Sequence, residues 1–132
     1  MSRDSKPRSR RVLIADGDPV TRCLLVSAVK KEGYVAVEVN DGRRAYQSLQ
    51  LDADFRAAIL DMTMPWLSGI ELIRYMRTEK RLKRIPVMLI SADKDLKLMS
   101  ESFSAGATAF LPKTFIRQHL QNALRMLLGM RS

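Results

Sequence analysis

One cysteine, Cys23, occurs in the 132 residues. No internal disulfide can form, which excludes a disulfide-stapled scaffold and suits a reducing compartment. No apolar run approaches the ~18–20 residues that a membrane-spanning helix needs. The basic N-terminus is not followed by an apolar stretch, so no secretory signal is read, and a cytoplasmic protein is expected. Histidine also occurs once. His119 therefore lacks partners for a metal or phosphodonor role and reads as a surface residue of the last helix. Internal repeats are absent, and no helix-turn-helix or other nucleic-acid reader is recognised.

Acidic residues are few, 14 against 23 Lys and Arg, a formal net charge of +9. The excess is local. Residues 1–11 carry net +4, from Arg3, Lys6, Arg8, Arg10 and Arg11 against Asp4. Residues 77–84 carry another +4, from Arg77, Lys80, Arg81, Lys83 and Arg84 against Glu79. The rest of the chain is nearly neutral. Contact with nucleic acid through the basic arm is the minor reading; a solvated tail and a solvated helix end are the plainer one. Hydrophobic residues make up 46%, enough to fold as one domain with a core. We expect a basic flexible arm over 1–10 and a single domain over 11–130.

Short apolar runs and amphipathic stretches alternate along the chain. Strands are expected at 11–15, 34–39, 56–60, 86–90 and 107–111. Helices are expected at 19–32, 42–51, 70–81, 95–105 and 115–128, with Asp18 capping the first and Gly33 ending it. Leu24, Leu25, Ala28 and Val29 are available for the buried face of the first helix. Ile116, Leu120, Ala123, Leu124 and Leu127 mark that of the last. Strict alternation implies parallel strands joined by right-handed crossovers. The fold class is therefore α/β: a three-layer sandwich with a five-stranded parallel sheet flanked by five helices.

The stretch that organises the chain is Ala57-Ala58-Ile59-Leu60-Asp61-Met62-Thr63-Met64-Pro65. Its apolar run reads as a buried strand, and Asp61 stands at its exit. Ligands of open α/β sheets bind at the carboxyl ends of the strands. The other exits carry Asp16, Ser91 and Lys113. Two close carboxylates repel and call for a cation. Mg²⁺ suits them, since it needs only one or two carboxylates plus a phosphate. Lys113 adds a fixed positive charge for an anion, and a hydroxyl can donate to a phosphoryl oxygen. The set reads as a phosphoryl-transfer site with Asp61 as nucleophile.

These segments resemble the response regulator receiver domain of two-component signalling. The likeness rests on Val12-Leu13-Ile14-Ala15-Asp16, on Leu60-Asp61-Met62-Thr63-Met64-Pro65 with Gly69, on Ile90-Ser91-Ala92 and on Ala109-Phe110-Leu111-Pro112-Lys113. It implies the flavodoxin-like strand order 2-1-3-4-5. Asp61 would be the phosphoacceptor, served by a histidine kinase or phosphotransfer protein. Mg²⁺ would be held by Asp16, Asp61 and the Thr63 backbone carbonyl. Ser91 and Lys113 would contact the phosphoryl group, and Phe110 stands where the family carries a switching aromatic. The output would pass through the face of helix four, strand five and helix five. Such a protein is not an enzyme in the ordinary sense, although it assists its own phosphorylation and dephosphorylation.

Two positions depart from the family pattern. Gly17 replaces the acid that ligates Mg²⁺ directly, which weakens or removes the metal site. Asp18 is left as a third candidate ligand, but its capping role turns it toward helix amides. Thr114 replaces a proline after Lys113, and the Lys113–Thr114 peptide is expected to be trans. The alternative reading is a pseudo-receiver, a phosphorylation-independent binding module. Among the remaining residues, Cys23 reads as a buried helix residue. Trp66 reads as loop packing or a partner anchor, and the eight Met residues as core filler. Leu96, Leu98, Met99 and Phe103 on the fourth helix leave a homodimer open.

Overall fold

A computed structural model describes residues 9–129. Ten elements alternate strictly: β1 (Arg11–Ala15), α1 (Pro19–Lys31), β2 (Val35–Val39), α2 (Gly42–Leu51), β3 (Ala57–Asp61), α3 (Gly69–Thr78), β4 (Val87–Ser91), α4 (Leu96–Ala105), β5 (Ala109–Pro112) and α5 (Arg117–Leu128). The strands form one parallel sheet in the order β2-β1-β3-β4-β5.

Strand side chains point alternately to the two faces, and this divides the core. Val12, Ile14, Ile59 and Ile90 pack against Leu25 and Val29 of α1 and Leu120 and Leu124 of α5. Leu13, Leu60 and Leu89 pack on the other face with Leu49 of α2 and Ile73 and Met76 of α3. β3 and β4 are buried along their whole length, as central parallel strands covered on both faces must be. The three-layer arrangement and strand order expected from the sequence are present.

Local chemistry sets the helix limits. Asp18 caps α1 with Pro19 in its first turn. Ser68 and Glu71 form a reciprocal capping box at α3, satisfying two otherwise orphaned amides. Gly106 ends α4 at φ 114°, a left-handed conformation that glycine adopts without penalty.

Several local expectations are corrected. Cys23 is exposed, because Thr21, Leu25, Ala28 and Val29 define the buried stripe of α1 and position 23 lies off it. Leu24 is 41% exposed for the same reason. Ile116 is 59% exposed, since it precedes α5 as its N-terminal boundary residue. Ala107 and Thr108 lie before β5, where Ala107 N donates to Ser102 O and Thr108 N to Val87 O. α3 stops at Thr78, and residues 79–85 turn instead, with Leu82 N and Lys83 N donating to Glu79 O. Trp66 is 74% exposed at φ 76°, so it does not pack into its loop; the Arg43 guanidinium lies 5.6 Å from its ring centroid.

The arm expected over 1–10 lies outside the described residues up to position 8. Its last two residues are tied down rather than free. Ser9 N donates to Asp54 Oδ1 at 3.3 Å, and Arg10 donates to Gly33 O at 2.9 Å while stacking on Tyr34. Arg77, which shares the spacing of Ile70, Ile73 and Met76, is half-buried for a polar reason. Its guanidinium donates to the carbonyls of Gly106 (2.8 Å) and Ile85 (2.8 Å), fastening two loops to α3.

Candidate functional site

The parallel sheet brings the strand exits to one edge. Asp16 follows β1, Asp61 is the last residue of β3, Ser91 the last of β4, and Lys113 follows β5. The order β1-β3-β4-β5 makes these exits neighbours. The Lys113 amine lies 3.3 Å from Asp16 Oδ2 and 3.4 Å from Asp61 Oδ2. One cation therefore bridges two carboxylates in a nearly closed setting, with Asp16 fully buried and Asp61 only 9% exposed.

The electrostatics follow from that geometry. Burial holds the Asp61 carboxyl above its ordinary pKa, and the neighbouring Asp16 charge adds to this; Lys113 and the Thr63 amide oppose it without winning. Burial also acts against the Lys113 ammonium. The carboxylates of Asp61 and Asp16 outweigh it and hold the amine above its ordinary value. The site thus favours added positive charge.

The oxygens show where such charge would go. Asp16 Oδ1 accepts from Asp18 N at 2.9 Å, and Asp61 Oδ1 from Thr63 N at 3.3 Å. Asp16 Oδ2 is buried and has no hydrogen bond, although Lys113 is within ion-pair distance. A buried carboxylate oxygen that lacks a hydrogen bond and has only an ion pair at 3.3 Å leaves coordination capacity for a cation. Among the described residues no group of three or more acidic, His or Cys side chains converges. Mg²⁺ needs no such group, since one or two carboxylates, water and phosphate oxygens complete its octahedron. The residues present therefore fit Mg²⁺, with Gly17 withholding the ligand that a third acid would supply.

Asp18 is engaged at the start of α1. Its carboxylate accepts from Thr21 Oγ1 at 2.6 Å and from the amides of Val20 and Thr21, both at 3.3 Å. The Thr21 hydroxyl is the main reason its pKa lies below the usual carboxylate value. The cap expected from the sequence is made, and it occupies the side chain.

Ser91 is buried, and its Oγ accepts from Asp93 N at 3.0 Å. Ser91 O accepts from Lys113 N at 2.6 Å, which joins the two exits through the backbone. Phe110 is half-buried against the core layer that also receives Leu98 of α4. The Lys113–Thr114 peptide is cis, correcting the trans expectation. That expectation weighed the peptide alone, whereas the loop is positioned by the Ser91 contact and by the two carboxylates around Lys113 Nζ.

Two supporting residues have a clear physical role. The Arg22 guanidinium donates to Asp16 O at 2.7 Å and pairs with Glu38 at 3.3 Å, so α1 and β2 together hold the Asp16 backbone. The sequence offered no signal for it, because the partner is a main-chain carbonyl. Gly69 lets α3 approach the site closely: a Cβ there would lie 2.6 Å from Asp61 O and 2.5 Å from a Leu89 methyl. Its amide donates to Met62 O.

A family model for the response regulator receiver domain matches residues 12–125. The chain belongs to the response regulator receiver family. This receiver domain is 28% identical over 120 residues to chemotaxis protein CheY1 of Helicobacter pylori, covering 90% of this chain and 97% of that one. Among solved structures it is similar to the chemotaxis response regulator CheY4 of Vibrio cholerae, with a TM-score of 0.82 and 25% identity over 92% of this chain and 99% of that one. It also shares its fold with the receiver domain of the sensor histidine kinase PA1611 from Pseudomonas aeruginosa, which has a magnesium ion in its active-site cleft (TM-score 0.81, 24% identity, covering 92% of this chain and 99% of that one). The receiver family serves two-component signalling, and its members are signalling modules rather than classical enzymes. No helix among the described residues is long and apolar enough to cross a membrane.

Proposed function

We propose that this receiver accepts a phosphoryl group on Asp61 from a histidine kinase or phosphotransfer protein. The observation that carries the proposal is the bridge of Lys113 between Asp16 and Asp61, at 3.3 and 3.4 Å. The donor's P–N bond breaks as a P–O bond forms to an Asp61 carboxylate oxygen, giving an acyl phosphate. That oxygen must be ionised to attack, and Lys113 favours the ionised form while leaving the carboxylate nucleophilic. Lys113 then pairs with the phosphoryl oxygens, and Ser91 Oγ donates to one of them. Mg²⁺ would be held by Asp16, Asp61 and the Thr63 carbonyl, and would offset charge on the transferring group. The receiver thereby assists its own phosphorylation and dephosphorylation. The signal leaves through the face built by α4, β5 and α5, where Phe110 and Leu98 pack against the same core layer.

A second reading is favoured by one specific observation. Gly17 has no side chain to offer a metal, and Asp18 is engaged by Thr21. On that reading the fold is a pseudo-receiver that binds partners without a phosphoryl switch. A small phosphodonor with Mg²⁺ separates the two. The first predicts that the intact protein gains the mass of one phosphoryl group and that Asp61→Asn gains none. Absence of any gain, beside a competent receiver that is phosphorylated, would sink it in favour of the second.

A further inference from the structure

Asp16 is held at three of its four polar atoms. Its amide donates to Val39 O at 3.3 Å, its Oδ1 accepts from Asp18 N at 2.9 Å, and its carbonyl accepts from the Arg22 guanidinium at 2.7 Å. The fourth atom, Oδ2, has no hydrogen bond and lies 3.3 Å from the Lys113 amine. The residue is fully buried, so its carboxylate cannot turn to solvent. The oxygen left to meet a metal is therefore aimed by the other three atoms.

Arg22 closes a ring around residues 16–18. Its amide donates to Asp18 O at 2.9 Å in the first turn of α1, and its side chain reaches back to the Asp16 carbonyl. The guanidinium is itself fixed by Glu38 of β2, with Nε 3.3 Å from the carboxylate, and the side chain is only 22% exposed. Gly17 sits inside this ring. Glycine has the widest backbone freedom of any residue. The conformation there does not demand it, since Gly17 lies outside the left-handed region and a Cβ would make an ordinary 3.4 Å contact with Asn40 O. A glycine at this position withholds a ligand and also loosens the loop that carries Asp16.

We propose that Arg22 is a positioning residue for Mg²⁺: by fixing the Asp16 carbonyl it holds Oδ2 in a ligating position and offsets the freedom that Gly17 gives the loop. The inference rests on the phosphoacceptor reading above, in which Asp16 is a metal ligand. Residues that orient a metal ligand govern affinity without touching the ion. The sign of the effect separates position from charge. Arg22 is a cation close to a cation site, so removal of its charge alone would tighten Mg²⁺ binding. Loss of its hold on Asp16 weakens it.

The test titrates Mg²⁺ into the whole chain by calorimetry. Arg22→Met is expected to weaken binding about ten-fold, the lower end of what losing such a supporting partner costs. In a Gly17→Ala background the same substitution is expected to cost only about three-fold, because alanine itself narrows the loop. Arg11→Met breaks the ion pair with Asp52 at the far end of β1 and should leave the affinity unchanged. Far-UV circular dichroism establishes that the variants are folded. Arg22→Lys keeps a cation but loses the fork that meets both Asp16 and Glu38. It is expected to weaken binding by less than Arg22→Met, and it carries the test should Arg22→Met fail to fold. Unchanged or tighter binding in the Arg22 variants would overturn the inference, as would equal losses in both Gly17 backgrounds or the same loss in Arg11→Met. No Mg²⁺ binding by the unaltered chain would remove the metal from the phosphoacceptor reading and the inference with it, whereas an unaffected Arg22→Met overturns the inference alone.

Discussion

Gly17→Asp tests the electrostatic reading of the site most directly. The backbone accepts the change: Gly17 is not in a left-handed conformation, and a Cβ there would lie 3.4 Å from Asn40 O, an ordinary contact. Position 17 is exposed, so a high effective dielectric applies. A unit negative charge about 4 Å from a divalent ion in water-like dielectric is worth about 2 kcal/mol. That corresponds to roughly 30-fold tighter Mg²⁺ binding. Without metal, the third carboxylate adds repulsion beside Asp16 and Asp61, which among the described residues share Lys113 as their bridging cation. The variant should therefore melt lower than the unaltered chain in chelator and recover in Mg²⁺. The assay is a Mg²⁺ titration by calorimetry, paralleled by fluorescence of Trp66, the only tryptophan. Equal affinities in the two proteins would refute the argument that position 17 is the missing ligand.

Asp61→Asn should raise the melting temperature at pH 7, because burial and Asp16 disfavour the ionised carboxylate in the fold. The sign is that of a raised carboxyl: the penalty is absent below the unfolded pKa and grows as pH rises through the folded one. The gain should therefore fade toward about pH 4, and a gain that grows on acidification would refute it. Lys113→Met leaves two buried carboxylates uncompensated and should cost about 2–4 kcal/mol at neutral pH, less in acid; denaturant melts at both pH values check this. Gly69→Ala forces a methyl to within 2.6 Å of Asp61 O and should destabilise by about 1–3 kcal/mol. It should also slow phosphorylation by a small donor; an unchanged rate would show that the close approach of α3 does not position Asp61.

Much of this was legible in the sequence. The run from Ala57 to Leu60 needs burial on both faces, and central strand β3 provides it. Pro19 after Asp18 is a local signal, and α1 starts where those residues put it. Local reasoning failed where the deciding partner is distant. Leu24 and Cys23 have core-type chemistry but sit off the stripe that faces the sheet. Arg77 has surface-type chemistry but is drawn inward by the carbonyls of residues 85 and 106.

The sequence by itself determined the alternation of strand and helix, the parallel sheet and the residues standing at its exits. These follow from hydrophobic period and from capping chemistry, which act over a few neighbouring residues. Only the tertiary structure decided that one lysine bridges Asp16 and Asp61, that Asp16 keeps an oxygen without a hydrogen bond, and that Asp18 spends its carboxylate on Thr21. Those outcomes depend on distances between residues tens of positions apart, and only strand order and crossover fix such distances.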